Sequence, residues 1–257
     1  MKPQVILTAV ALAVIQVSQA GEPVAPARLN TLASSGWEFT GALYAPMMGL
    51  EGTVGLGPVR SSVDIGFGDI LKKLDGGLSG AFEARHDRWS ITGDFIWLKL
   101  SDSANPIAST YLGFKEEEIL ASVALGYELY KDDRTSLDVL AGAAFTSVDV
   151  ELDVSTPLLP IKFRALSGSE TWVDPFIGLR VRHQLSTNWS VFARADYGGF
   201  GVSSDEYWQA LVGLGYRLSE STSVVLAYRI AATDYQSGRF VYDTKMSGPN
   251  LGLVIRF

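Results

Sequence analysis

The sequence has no cysteine and only two histidines, His86 and His183, in 257 residues. Without cysteine there is no disulfide framework, no thiolate nucleophile and no cysteine-ligated zinc or iron–sulfur site. Two histidines leave little material for a multi-histidine metal site or a histidine proton shuttle, and neither a metal nor a cofactor is expected. Basic residues are also scarce, 21 against 28 acidic ones for a formal net charge of −7. That balance lacks the basic stripe a phosphate-backbone binder presents, so nucleic acid is not an expected partner. Long apolar runs are absent after residue 20, which excludes a helical membrane crossing beyond that point.

The first 20 residues are of another kind. Lys2 is followed by the apolar run Val5 to Ile15 and then by Ser18-Gln19-Ala20, with small residues at the two positions a signal peptidase reads. A basic start, a short apolar stretch and a cleavable end predict a secretory signal peptide over 1–20. The run is shorter than the ~20 residues of a helical anchor. Residues 21–35, rich in Pro, Ala and Ser without periodicity, read as a flexible lead-in. The remaining 36–257 reads as one domain.

From Trp37 onward the pattern has a period of two, as in strands with two differently solvated faces. Ile119, Ala121, Val123, Leu125, Tyr127 and Leu129 alternate with Ser122, Ala124, Gly126 and Glu128. Val173, Ile177, Leu179 and Val181 alternate with Asp174, Gly178, Arg180 and Arg182. Ten such segments are read, at 36–46, 76–86, 88–100, 112–131, 135–154, 171–185, 189–201, 206–219, 222–235 and 239–257. Several reach the ~9 to 11 residues of a tilted membrane-spanning strand. Short turns at 86–88, 131–134, 186–188 and 219–221 alternate with longer links, of which 46–75 is the longest.

These features predict an all-β, antiparallel, up-and-down transmembrane β-barrel of ten strands in the bacterial (Gram-negative) outer membrane, with its short turns in the periplasm. Eight strands, or twelve if 50–67 forms a further hairpin, are the alternatives. A soluble barrel would also alternate, but it would turn its charges outward. Trp37, Trp89 and Trp189 open their strands at one end, and Trp97 and Trp208 lie near the other, all in the apolar phase. That is the girdle expected at two membrane interfaces. Outer-membrane lipid and lipopolysaccharide are then the expected surroundings.

At the C-terminus Leu251, Leu253, Ile255 and Phe257 share one phase and the chain ends on the aromatic. This resembles the signal read by the barrel assembly machinery, an expected partner. Trp172-Val173-Asp174-Pro175, Gly198-Gly199-Phe200-Gly201 with Ser204-Asp205, Phe240-Val241-Tyr242-Asp243 and Gly248-Pro249 resemble a group of proteobacterial outer-membrane proteins of unassigned role. The architecture is similar to small barrels such as outer-membrane protein A or X. The resemblance implies a fold and a location, and no catalytic residues.

If the apolar phase faces lipid, the inward phase collects Glu38, Glu83, Asp94, Glu128, Asp138, Asp174 and Asp196 together with Arg85, Arg180, Arg182, Arg194, Arg217, Arg229 and Arg256. Most acids lie in the N-terminal half and most arginines in the C-terminal half, so ring closure should bring them face to face. Guanidinium forks suit bidentate pairing with carboxylates. A structural network filling a narrow barrel is one reading, and it fits the small bore of ~8 to 10 strands. A charged constriction that filters solutes is the other. Inward glycines Gly126, Gly142, Gly178, Gly213, Gly215 and Gly252 should give the arginines room or act as bend points.

Weaker signals remain. Asp149, Glu151 and Asp153 share a strand face and could gather calcium or simply be solvated. Gly52 to Gly57 lacks a phosphate-loop lysine. Residues 68–75 have the spacing of a short amphipathic helix, either a lumen plug or a surface cap. Both histidines fall at the predicted periplasmic rim, away from where a lipid-modifying enzyme would place its base. The function expected is a non-enzymatic structural or interaction barrel with a narrow or closed pore. A passive porin or small-solute channel is the alternative, and a lipid-modifying enzyme is a third.

Overall fold

The computed structural model describes residues 36–56, 59–104, 111–155 and 163–257. The leader and lead-in expected at 1–20 and 21–35 lie outside the described residues. The elements in chain order are β1 (Trp37–Pro46), β2 (Gly49–Leu56), β3 (Val59–Ile65), α1 (Phe67–Lys73), β4 (Leu74–His86), β5 (Trp89–Ala104), β6 (Tyr111–Lys131), β7 (Thr135–Ser155), β8 (Phe163–Gln184), β9 (Trp189–Gly198), β10 (Glu206–Arg217), β11 (Thr222–Ser237) and β12 (Phe240–Arg256).

Ten of these strands, β1 and β4 to β12, form an antiparallel ring that closes where β1 pairs β12, from Thr40 opposite Arg256 to Pro46 opposite Asn250. The ten-strand expectation and the extra hairpin meet here, because β2 and β3 are real strands outside the closed ring. β2 pairs the far half of β12, from Ser247 opposite Gly49 to Phe240 opposite Leu56, and β3 pairs β2. Gly248-Pro249 marks the point where β12 changes partner. Proline has no N–H to give to a ladder, and here its carbonyl accepts from the Met47 N–H at 2.8 Å. A side chain at Gly248 would lie 2.3 Å from the Met47 carbonyl oxygen, so the crossing needs glycine.

Around the turn end and middle of the ring the two faces separate as the alternation predicts. Leu43, Ile177 and Val212 are 66%, 59% and 59% exposed, while Ser90, Asp138 and Asp174 are at most 1% exposed. This outward apolar belt runs over Trp37–Leu43, Leu78–Phe82, Trp89–Trp97, Ile119–Leu129, Leu137–Phe145, Val173–Val181, Trp189–Tyr197, Trp208–Tyr216, Val224–Ile230 and Leu251–Phe257. Trp37, Trp89 and Trp189 mark its turn end and Trp97 and Trp208 its loop end. Leu251, Ile255 and Phe257 stand exposed on it, with Leu253 half-buried.

Beyond the belt the polarity inverts. β6, β7 and β8 are 21, 21 and 22 residues long, about twice the ~9 to 11 a tilted span needs. Their extensions carry polar residues outward, Lys115, Glu117, Asp149 and Glu151, and apolar residues inward, Val148 and Trp172. The start of β8 at Phe163, eight residues before the expected 171, belongs to this stretch. The helix expected over 68–75 is observed as α1, with Leu74 and Asp75 already in β4. It buries no side chain and packs towards β2 and β5, so it is a surface cap and not a lumen plug. No helix among the described residues is long and apolar enough to cross a membrane.

Candidate functional site

The lumen has three levels, and the first holds charge. Near the turn end, Asp138 on β7 is fully buried. It accepts from Arg85 Nη2 at 2.9 and 3.0 Å and from Arg180 Nε at 2.9 Å. Arg85 also donates to Glu128 at 3.2 Å and to Glu83 at 3.2 Å. Glu83 in turn receives Arg180 Nη1 at 2.5 Å and Arg182 Nη2 at 2.7 Å. Three arginines therefore meet three carboxylates drawn from β4, β6, β7 and β8, and the cluster is neutral as a whole. Pairs such as Glu83 with Arg180, 97 positions apart, exist only because the sheet closes on itself.

The second level is in mid-barrel. Arg229 donates to Asp94 at 2.8 and 3.1 Å, and Tyr44 donates its hydroxyl to the same carboxylate at 2.9 Å. Arg194 donates to Asp196 at 2.9 and 3.1 Å and lies 5.7 Å above the Phe176 ring. Gln209 also donates to Asp196, at 2.5 Å. The glycine beside this pair makes room for the carboxylate and not for an arginine, since a side chain at Gly178 would sit 2.0 Å from Asp196 Oδ1.

Four of the fourteen charged residues expected in the lumen make no arginine–carboxylate pair. Asp174 accepts instead from the Ser204 N–H at 2.8 Å and hydroxyl at 2.6 Å, and so pins the Gly199–Asp205 loop against the wall. Glu38, Arg217 and Arg256 line the turn-end mouth without an ion-pair partner among the described residues. Inward phase alone does not place a residue at the height of its counter-ion, because tilted strands stagger their registers. A cavity of about 1100 Å³ occupies this end of the lumen, walled by the charged clusters on one side and by Phe192, Leu211 and Val225 on the other.

At the third level, towards the loop end, the lumen holds a packed apolar core. Met48, in the link between β1 and β2, joins Ile96, Val148, Trp172, Tyr235, Phe240, Tyr242 and Met246 from strands on opposite sides of the ring in a buried core. Trp172 stacks on Tyr235 at 4.1 Å between ring centroids and meets Tyr242 edge-on at 5.3 Å. A pocket of about 60 Å³ lies between this core and the mid-barrel pairs. Sequence reasoning missed this core. Its signal was available in the inward-phase residues Ile96, Trp172, Tyr242 and Met246, which are large and apolar where a water-filled lumen calls for polar ones.

One carboxyl stands in that core. Glu118, just beyond the belt, accepts from the Tyr242 hydroxyl and has no ion-pair partner among the described residues. Burial, with Glu116 nearby, pushes its pKa up to about 8. Outside the ring, Trp97 donates to Glu117 at 2.9 Å and Lys115 lies 3.8 Å from Glu151. The Asp153 side chain, third of the carboxylates considered for calcium, lies outside the described residues. Among the described residues no group of three or more metal-ligating side chains is gathered. His86 lies against Trp37 at 5.0 Å, and His183 Nδ1 is 3.0 Å from the Thr135 hydroxyl. Both sit at the turn end, far from the loop-end rim.

Residues 107–251 match the family model described as "Protein of unknown function, DUF481". The chain belongs to this family. No curated protein is a significant match to it. Among solved structures, this DUF481 chain is similar to the outer membrane protease OmpT from Escherichia coli, with 10% identity, a TM-score of 0.55, and 86% of this chain and 97% of that one covered. Ail, the attachment invasion locus protein of Yersinia pestis, matches at 13% identity and a TM-score of 0.37 over 86% and 99% of the two chains. Neisserial surface protein A matches at 11% and 0.33 over 86% and 97%. The OmpT likeness shows a shared fold, a closed antiparallel barrel of the kind found in bacterial outer-membrane proteins, and carries no activity across.

Proposed function

We propose that this protein is a non-catalytic outer-membrane barrel, closed to through-passage, that acts as a structural or interaction module. The observation that carries the reading is the core around Trp172, Tyr235, Tyr242 and Met246, which packs across the lumen towards the loop end. Close-packed side chains oppose a continuous water path, and the pocket beneath this core has only about 60 Å³, room for roughly one or two waters. The apolar belt then meets hydrocarbon, the two rows of tryptophan meet its interfaces, and the turn end faces the periplasm. Lipid and lipopolysaccharide surround the belt. The C-terminal run Leu251, Leu253, Ile255 and Phe257 is the segment that the assembly machinery would read, and 1–20 would be removed on export.

A passive channel is the second reading, favoured by the cavity of about 1100 Å³ with Arg180, Arg182 and Arg217 in its wall. Single-channel recording of the refolded protein in planar bilayers separates the two. Silence is expected, whereas steady openings whose ion preference changes in Arg180→Ala would establish the channel. A lipid-modifying activity would alter lipid A on expression. Mass spectrometry is expected to find it unchanged.

A further inference from the structure

We propose that the turn-end cavity is a binding site for an anionic single-chain amphiphile, with its head on Arg217 and Arg256 and its chain along β9 to β12. The cavity, about 1100 Å³, is slightly larger than is usual for small-molecule sites. Its two walls differ in kind. On β4 and β8 the arginines that line the cavity, Arg85, Arg180 and Arg182, are satisfied by the neutral cluster around Asp138, so among the described residues that wall has no free charge to offer a ligand.

On the other wall the mouth carries two guanidinium groups, Arg217 on β10 and Arg256 on β12, with no ion-pair or hydrogen-bond partner among the described residues. In the adjoining turn Lys131 and Arg134 are equalled in number by Asp132 and Asp133, and Lys131 Nζ lies 3.8 Å from Glu128. Among the described residues lining the mouth, Glu38 is then the one carboxylate set against two arginines. Between this mouth and the mid-barrel pairs, β9 to β12 present Phe192, Leu211, Val225, Ala227 and Val254, with Gly252 beside them and the polar Ser190, Gln209 and Asn250 at the margins. From Leu211 to Arg217 the slot is about 20 Å long at strand rise. At its inner end the buried Arg229 keeps its Nε without a hydrogen-bond partner. An apolar slot under an unneutralised guanidinium pair matches a molecule with one acyl or alkyl chain and one anionic head. A simple anion would leave the slot wet, and a neutral amphiphile would leave the arginines unused.

The head could be a carboxylate or a phosphate, and the test has an arm for each. Octanoate and octyl phosphate are titrated calorimetrically into the full chain in lipid nanodiscs, with protein-free nanodiscs as the blank. Acetate, inorganic phosphate and octyl glucoside serve as probes lacking the chain or the charge. Saturable binding of octanoate or octyl phosphate is expected, weakened roughly tenfold or more in the Arg217→Gln/Arg256→Gln double variant. The same loss is expected in Val225→Trp, which fills the slot and leaves both arginines in place. Equal binding by the wild type and both variants would overturn the proposal, as would acetate or octyl glucoside binding as well as octanoate.

The proposal rests on the closed-lumen reading only in treating the cavity as blind. A barrel that conducts yet binds octanoate refutes closure and keeps the site. A silent barrel that binds neither amphiphile refutes the site alone.

Discussion

Replacing Asp138 by asparagine should be among the most damaging conservative changes in this protein. The side chain is fully buried and is the common acceptor for Arg85 and Arg180, at 2.9 to 3.0 Å, with Arg182 Nη2 at 3.5 Å. The amide keeps the shape but removes the charge and turns one acceptor into a donor facing a guanidinium. Three arginines are then left with two carboxylates, Glu83 and Glu128. Charge-assisted bonds are worth ~1.5 to 3 kcal/mol each, but the arginines retain Glu83 and Glu128, so the bonds do not add. The measured cost of breaking a buried pair, about 3 to 5 kcal/mol, is the better guide. The assay is reversible guanidinium unfolding in lipid vesicles, followed by tryptophan fluorescence, since girdle tryptophans at both ends report loss of the barrel. Arg85→Gln and the Asp138→Asn/Arg85→Gln double variant complete a cycle, and the double variant should lose clearly less than the sum. A loss under about 1 kcal/mol for Asp138→Asn, within the range of ordinary surface changes, or strict additivity in the cycle, would refute the view of the cluster as a dehydrated, mutually dependent unit.

Glu118→Gln should act with the opposite sign and with pH. The buried carboxyl keeps its proton in the folded state up to about pH 8, while the unfolded chain releases it in the ordinary carboxylate range. Wild-type stability should therefore fall as pH rises between those limits and level off above, and the glutamine variant should lose that slope in pH-dependent unfolding curves. Asp132 behaves conversely. The Arg134 and Thr135 N–H groups and the Tyr130 hydroxyl bind its carboxylate in the turn and lower its pKa to about 2. Its contribution should be intact at neutral pH and lost as the pH falls below the ordinary carboxylate range towards that value, a loss that amide exchange of the turn would detect and that Asp132→Ala should abolish. Gly178→Ala would put a methyl 2.0 Å from Asp196 Oδ1 and should cost about 1 to 3 kcal/mol in the same unfolding assay.

Within the belt the sequence was transparent, because one face had to be apolar and the other not. Ile177 outward and Arg180 inward follow from parity alone, and ring closure followed from strands of one kind joined by short turns. Parity says which side of the wall a residue takes but not its height on a tilted strand. Asp174 accordingly met Ser204 and not an arginine, while Arg217 and Arg256 were left at the mouth. The loop-end half was harder to read, because there the outward face becomes polar and the inward face apolar. Glu117 and Trp172 then look like exceptions to a rule that has simply reversed. The resulting core is built from residues up to 198 positions apart, from Met48 to Met246, and no local pattern announces that they converge.

Closure of the barrel by that core is the claim on which the functional reading turns. Single-channel recording of the wild type beside a Trp172→Ala/Tyr235→Ala variant tests it directly. The account predicts no steady openings for the wild type and measurable conductance once the stacked rings are removed. Stable wild-type openings, unchanged in the variant, would contradict it.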